Sequence, residues 1–268
     1  MTSDATATGA ATRGRAAPAP LLDAGLPAGV RGGFTTRAGG EAGGGDFAGL
    51  NLGAHVGDDP GRVARHRDAL RRALGARVLL VPTQVHGADV VHVPAADAER
   101  LAAHPPEADA LVTTDPGVAL AVVVADCVPV LVADPDAGVV GVAHAGRPGL
   151  VAGVVPALLA AVRDLGARRP LVRLGPSVCG ACYEVPEPMA AAVASAVPAA
   201  RARTRWGTAA VDVPAGVLAQ CAAAGVPAGD VARVGGCTVE DPALFSYRRS
   251  GTTGRSGGAV VLDAPGAP

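Results

Sequence analysis

Aromatic side chains are scarce in this chain: one Trp, two Tyr and three Phe among 268 residues. That leaves no stacking platform for single-stranded nucleic acid. Lysine is missing altogether, so the 23 basic residues are all Arg. Net charge is −1 and the Arg residues are not grouped into a basic face, which argues against binding nucleic acid through its phosphates. The excess of Ala, Gly, Pro and Arg reads most simply as a GC-rich coding bias. Long unbroken apolar runs are missing too: none reaches membrane-spanning length without an Asp, Pro or His intervening. Residues 1–20 contain Arg13 and Arg15 but not the continuous apolar segment of a secretory signal. Five cysteines, an odd number in a chain of this length, do not make a disulfide framework. The expectation is a soluble cytoplasmic protein with no nucleic-acid or membrane partner. A disordered tail is expected over residues 1–20, then one domain over residues 21–266.

What the chain does have is a dense apolar centre, Ala119–Gly149. Two runs, Ala119–Ala125 and Val128–Ala133, are almost fused, with Asp126-Cys127 between them. The turn residues Asp134-Pro135-Asp136-Ala137-Gly138 follow, then a third run, Val139–Ala143, ending in His144-Ala145-Gly146. A strand buried on both faces accepts Val and Ala everywhere but gains nothing from Asp, Cys or His. The flanking runs read as a hairpin. With a two-residue loop, Asp136-Ala137, Cys127 lies opposite Gly146 and His144 is diagonal to it on the same face. A three-residue loop puts Cys127 and His144 on opposite faces. The sequence leaves both registers open.

Elsewhere, strands and helices alternate irregularly, which predicts an α+β fold with a mixed sheet. Asp58 or Asp59 with Pro60 predicts the start of a helix over about residues 61–74. His86 sits before Gly87, between two strand segments, where a bend can re-aim a side chain. Residues 94–107 read as a polar loop. Gly146–Gly149 turns a strand into a helix expected over residues 150–165, a junction that can receive an anion.

Cys127, His144 and His86 are the residue types of a three-ligand zinc site with an open fourth position. They also suit a thiolate nucleophile with a His base, and on spacing alone a buried Cys beside two ordinary histidines is the favoured reading. Spacing does not bring His86 to the other two. Cys179-x-x-Cys182 is half a zinc knuckle or a redox pair. A knuckle needs a second pair, and Cys221 and Cys237 stand alone, so two structural thiols in a tight loop are expected. Arg248, Arg249 and Arg255 lie among Gly, Ser and Thr, as a clamp for phosphate or carboxylate or as a solvated loop. Arg37 and Asn51, in Gly-rich loops, can bond a polar ligand or satisfy loop backbone. Copper-oxidase chemistry calls for many His in H-x-H pairs; this chain has six His and none so arranged.

The segments FTTRAGG, LNLGAHVGDDP, TQVHGADVV, ADALVTTDPGVALAVVVADCVPVLV, GVAHAGRPGLVAGVV, GPSVCGACYEV and SYRRSGTTGR occur in this order. Over residues 21–262 the chain resembles the laccase-domain family, also called multicopper polyphenol oxidoreductases. Its members are described as purine nucleoside phosphorylases with adenosine deaminase activity and include the bacterial peptidoglycan editing factor. The resemblance implies a layered α/β/β/α sandwich. It also implies zinc, rather than copper, held by His86, Cys127 and His144, with Asp126 a candidate proton carrier. Arg37, Asn51, Arg248, Arg249 and Arg255 become candidate substrate contacts. The expected partners are a purine nucleoside and phosphate, with the chain a monomer or homodimer. Phosphorolysis of adenosine, inosine or methylthioadenosine, with adenosine deamination, is the leading expectation. A Cys-His hydrolase editing a peptidoglycan precursor, a non-catalytic partner protein and, last, a copper polyphenol oxidase are the alternatives. The chain departs from the family pattern at Arg147-Pro148, where Trp-Arg is frequent, at His66, where Asn is common, and at Ser256, where Phe or Met is usual. These departures bear on substrate preference more than on the metal.

Overall fold

In a computed structural model of the chain, residues 19–41 and 45–264 are described. The tail expected over residues 1–20 lies outside the described residues up to residue 18, as do residues 42–44 of the Gly-rich loop.

The two nearly fused apolar runs belong to different sheets. Val118–Val124 lies in a five-stranded sheet, in the order Leu21–Asp23, Val30–Thr35, Ser256–Leu262, Val118–Val124, Val78–Leu80. Val128–Asp134 lies in a six-stranded sheet, in the order Val231–Arg233, Leu171–Leu174, Val128–Asp134, Val139–Ala145, Ala110–Thr113, Val90–His92. Each sheet is mixed: Val78–Leu80 runs parallel to its neighbour, as do Val90–His92 and Val231–Arg233 to theirs, while the central pairs are antiparallel. The chain therefore crosses between sheets at Ala125-Asp126-Cys127.

Strand alternation explains the stacking. In Val128–Asp134, the side chains of Val128, Val130 and Val132 join Leu158, Leu159 and Val162 of the helix Val154–Asp164. Leu131 and Ala133 point the other way and meet Leu120, Val122 and Val260 of the five-stranded sheet. With both faces covered, every position of this strand is buried, and its unbroken apolar sequence follows. Gly141 permits the close approach of helix to sheet, because a Cβ there would sit 2.8 Å from Leu158 Cδ1. On the far side, the helix Pro60–Ala73 packs Leu70 against Ala119, Ala121 and Ala259. Asp59 caps this helix by accepting from Arg62 N at 2.6 Å, with Pro60 in the first position. The result is the expected α/β/β/α sandwich. Each fully buried Val or Leu contributes about 1.5–3 kcal/mol, and the two interiors hold most of them.

Three local expectations need correction. The loop of residues 94–107 contains a helix, Ala98–Ala103. The helix expected over residues 150–165 is two helices, Arg147–Ala152 and Val154–Asp164, broken at Gly153, whose φ of 87° is left-handed. The Arg-bearing loop holds a single helical turn, Tyr247–Ser250, capped by Ser246. Among the described residues no helix is long and apolar enough to cross a membrane.

Candidate active site and metal centre

The hairpin adopts the register of a two-residue loop. Asp134 pairs with Val139, Pro129 with His144 and Val128 with Ala145, so Cys127 falls opposite Gly146, one step past the last pair. His144 and Cys127 therefore share the face that looks between the sheets. His86 arrives from the segment after Val78–Leu80 with φ 62°, in the left-handed region that a non-glycine residue rarely occupies. Asp109 holds it there: its carboxylate accepts from Val85 N at 3.1 Å, His86 N at 3.0 Å and Gly87 N at 2.6 Å. The His86 ring lies over Gly146, where a Cβ would be 2.7 Å from His86 Cδ2 and 3.1 Å from Cys127 Sγ.

The outcome is a three-donor cluster. Ligand atoms of His86, Cys127 and His144 all lie within 4.8 Å of one another. Cys127 Sγ is 3.9 Å from His86 Nε2, and the two imidazole rings meet edge-on at 4.6 Å between centroids. His144 Nδ1 bonds Asp109 Oδ1 at 2.7 Å, which leaves Nε2 for the cluster. Burial raises the Asp109 carboxyl, but bonds from His144 and the Gly87 amide outweigh it and hold the group ionised. Burial also raises the Cys127 thiol, yet the neighbouring His144 and His86 bring it down to about 6. His144 is depressed by burial but lifted to about 9 by the Cys127 thiolate and by Asp109. Without a metal, these opposed shifts favour the thiolate at Cys127 and the imidazolium at His144, with the Asp109 carboxylate behind. With one, it presents a thiolate and two imidazoles, the borderline-soft donor set that suits zinc, and a carboxylate orienting one His from behind.

The cluster forms the floor of a cavity of about 390 Å³. Val123, Val124, Val178 and Val213 supply apolar wall, and Tyr183 and Tyr247 stand at the sides. Arg147, Arg248 and Arg255 bring positive charge to it, and His55 lies beside them. The Arg248 guanidinium lies over the Tyr183 ring, 5.1 Å from its centroid. Burial lowers the Arg255 guanidinium, and burial together with Arg255 lowers His55. Asp126 also faces the cavity, with φ 92°. Its two oxygens accept from Thr238 Oγ1 and Arg248 N, each at 2.6 Å.

Of the residues singled out by sequence, His86, Cys127, His144, Asp126, Arg248 and Arg255 therefore come together. The remaining three go elsewhere. Asn51 is fully buried; its oxygen accepts from Gly53 N and Arg255 N, and its amide donates to Asp58 and Gly53 O. Its capacity is used up within the loops, as a strut behind Arg255. Arg37 stacks on Phe245 and donates to Ala48 O. Arg249 donates to Thr238 O, Asp241 O and Leu244 O and ties its own loop. Sequence reasoning missed Asp109, whose signal was one acidic residue opening the apolar strand Ala110–Thr113. It also passed over Gln84, which bonds Val123 N and O, and His55 and the two tyrosines.

The chain is similar to known proteins over most of its length. Residues 31–263 match the family model described as multi-copper polyphenol oxidoreductase laccase. A Streptomyces coelicolor protein named purine nucleoside phosphorylase is 54% identical over 236 residues, covering 86% of this chain and 95% of the relative. One of the same name from Corynebacterium glutamicum is 46% identical over 237 residues, covering 87% and 94%. The crystal structure of YlmD from Geobacillus stearothermophilus superposes with a TM-score of 0.79 at 34% identity, covering 88% of this chain and 93% of that one. The chain belongs to the multi-copper polyphenol oxidoreductase laccase family.

Proposed function

We propose that the protein is a zinc-dependent purine nucleoside phosphorylase that acts on adenosine and inosine, and on methylthioadenosine, with adenosine deamination as a second activity of the same cavity. One observation carries the reading. A His-Cys-His donor set lies at the floor of an Arg-walled cavity, in a chain whose relatives are named purine nucleoside phosphorylases. His86, Cys127 and His144 would hold the ion. Zinc bound there supplies a Lewis acid at the cavity floor. Copper-oxidase chemistry fits the cluster poorly, because two imidazoles and one thiolate make a single site rather than a relay.

The chain's own side chains supply the rest. Arg248 and Arg255 carry fixed positive charge at the cavity wall and would grip phosphate. Arg147 stands in the same wall and joins them. Tyr183, braced by Arg248, and the Val side chains form a face for the flat purine. In phosphorolysis a phosphate oxygen bonds to the anomeric carbon as the bond to the purine nitrogen breaks. The base leaves with that electron pair and takes up a proton. Asp126 keeps lone pairs beyond its two bonds and is the carboxylate available for proton traffic. The test is phosphate-dependent release of free base and ribose 1-phosphate by metal-loaded protein, compared with His86→Ala and Cys127→Ala.

A second reading has its own support. Cys127, His144 and Asp109 also line up as thiolate, imidazolium and orienting carboxylate, the arrangement of a cysteine hydrolase, for which the family resemblance offers a peptidoglycan precursor as substrate. Chelated wild-type protein separates the two: the hydrolase keeps its activity without metal, and the zinc enzyme does not.

A further inference from the structure

The Cys179-x-x-Cys182 turn does not stand alone. Residues 236–238 run beside residue 177: Ser177 N donates to Gly236 O at 3.4 Å and Thr238 N to Ser177 O at 3.2 Å. This pairing sets Cys237 against the turn, with Cys179 N donating to Cys237 Sγ at 3.4 Å. The three sulfurs lie within 4.8 Å of one another. The two thiols expected from sequence are therefore three, and all are free. A carboxylate stands next to them, with Cys182 Sγ 3.5 Å from Glu240 Oε1.

We propose that Cys179, Cys182 and Cys237 form a second, structural metal site that takes a borderline-soft divalent cation, zinc in first place, with the Glu240 carboxylate, which stands beside Cys182 but outside the group of three mutually close sulfurs, swinging in as fourth donor. The donor chemistry selects the ion, since three thiolates and one carboxylate suit tetrahedral zinc rather than magnesium or calcium. Zinc–sulfur bonds of about 2.3 Å place tetrahedral sulfurs about 3.8 Å apart, so the cluster closes by side-chain adjustment alone. Charge is compensated from outside. Three thiolates and a carboxylate around a dication leave excess negative charge, and Arg205 Nη2 already donates to Cys182 Sγ at 2.8 Å and to Glu240. Cys182 is buried while Cys179 and Cys237 are partly covered, so an ion has both a dry side and an entry path.

The site would staple two walls of the cavity. The turn that bears Cys179 and Cys182 leads directly into Tyr183, and Cys237 precedes Thr238, whose hydroxyl holds Asp126. The inference does not rest on the proposed activity, and the test keeps the two apart by removing the first site. Full-length Cys127→Ala protein, purified under reductant, is loaded with cobalt(II) and then zinc. The expected result is one cobalt per chain, with thiolate-to-cobalt absorption that zinc displaces, and loss of both in the Cys127→Ala/Cys179→Ser/Cys237→Ser protein. Glu240→Gln on the same background, at an exposed position that keeps the thiols, is expected to weaken cobalt about tenfold. Two results overturn the assignment: Cys127→Ala protein that binds no metal, or metal binding that survives replacement of Cys179 and Cys237.

Discussion

His144 is bonded to Asp109 twice: its backbone N donates to Asp109 O at 2.7 Å, and its ring Nδ1 bonds Asp109 Oδ1 at 2.7 Å. The same carboxylate also accepts the backbone amides on both sides of His86 and that of His86 itself. One buried acidic side chain thus orients two of the three donors. Asp109→Asn keeps the size but loses the charge and one acceptor. Zinc affinity is expected to fall roughly 10–100-fold, measured by competition with a chelator. An unchanged affinity would remove Asp109 from this role.

Gly146 offers a test in which no donor is changed. In Gly146→Ala the new Cβ collides with the His86 ring and crowds Cys127 Sγ. The protein is expected to fold normally by circular dichroism yet to hold zinc at least about tenfold more weakly, as misoriented ligands do. Wild-type affinity in this variant would mean that His86 is not a ligand.

The three Arg residues after Ser246 should separate by function. Arg248→Ala and Arg255→Ala are expected to raise KM for phosphate about tenfold or more, in line with the loss of a charge-assisted contact. Arg249→Ala should leave that KM alone and lower the unfolding free energy instead, by about 1–3 kcal/mol, because four carbonyls lose their donor. Steady-state kinetics and urea unfolding on the same preparations separate the two effects.

Asp134 gives a pH signature of stability. It is buried in the hairpin turn and accepts from Ala137 N, Arg168 N and Arg169 N. Burial raises its carboxyl, but these amide bonds prevail and hold it below the ordinary value. A carboxyl depressed in the folded state stabilises above its unfolded pKa of about 3.9, and that contribution disappears as pH falls through the folded value. Asp134→Asn is expected to cost about 1–3 kcal/mol at pH 7 and progressively less below pH 4. A gap between wild type and variant that stays constant with pH would contradict this.

How much of this was legible in the chain follows from the range of each interaction. The Asp59-Pro60 helix start and the hairpin around Asp136-Ala137 depend on neighbours in sequence, and local residues announce them. The passage from one sheet to the other at Ala125–Cys127 left no mark, because strands buried on both faces look alike whichever sheet they join. The same limit hid Cys237 from Cys179: the pairing of Ser177 with Cys237 is a long-range event. His86 was placed in the site only by family resemblance, since its approach depends on a left-handed residue clamped by Asp109. Asn51 and Arg249 misled because buried struts and ligand contacts call for the same side chains.

The most direct measurement is phosphate-dependent formation of ribose 1-phosphate from adenosine and inosine, with zinc content determined on the same sample. Wild-type protein is expected to form the sugar phosphate only when phosphate and bound zinc are both present. His86→Ala, Cys127→Ala and His144→Ala should each lose zinc from this site together with the product. Undiminished turnover by chelated wild type, or no ribose 1-phosphate from metal-loaded wild type, would contradict it.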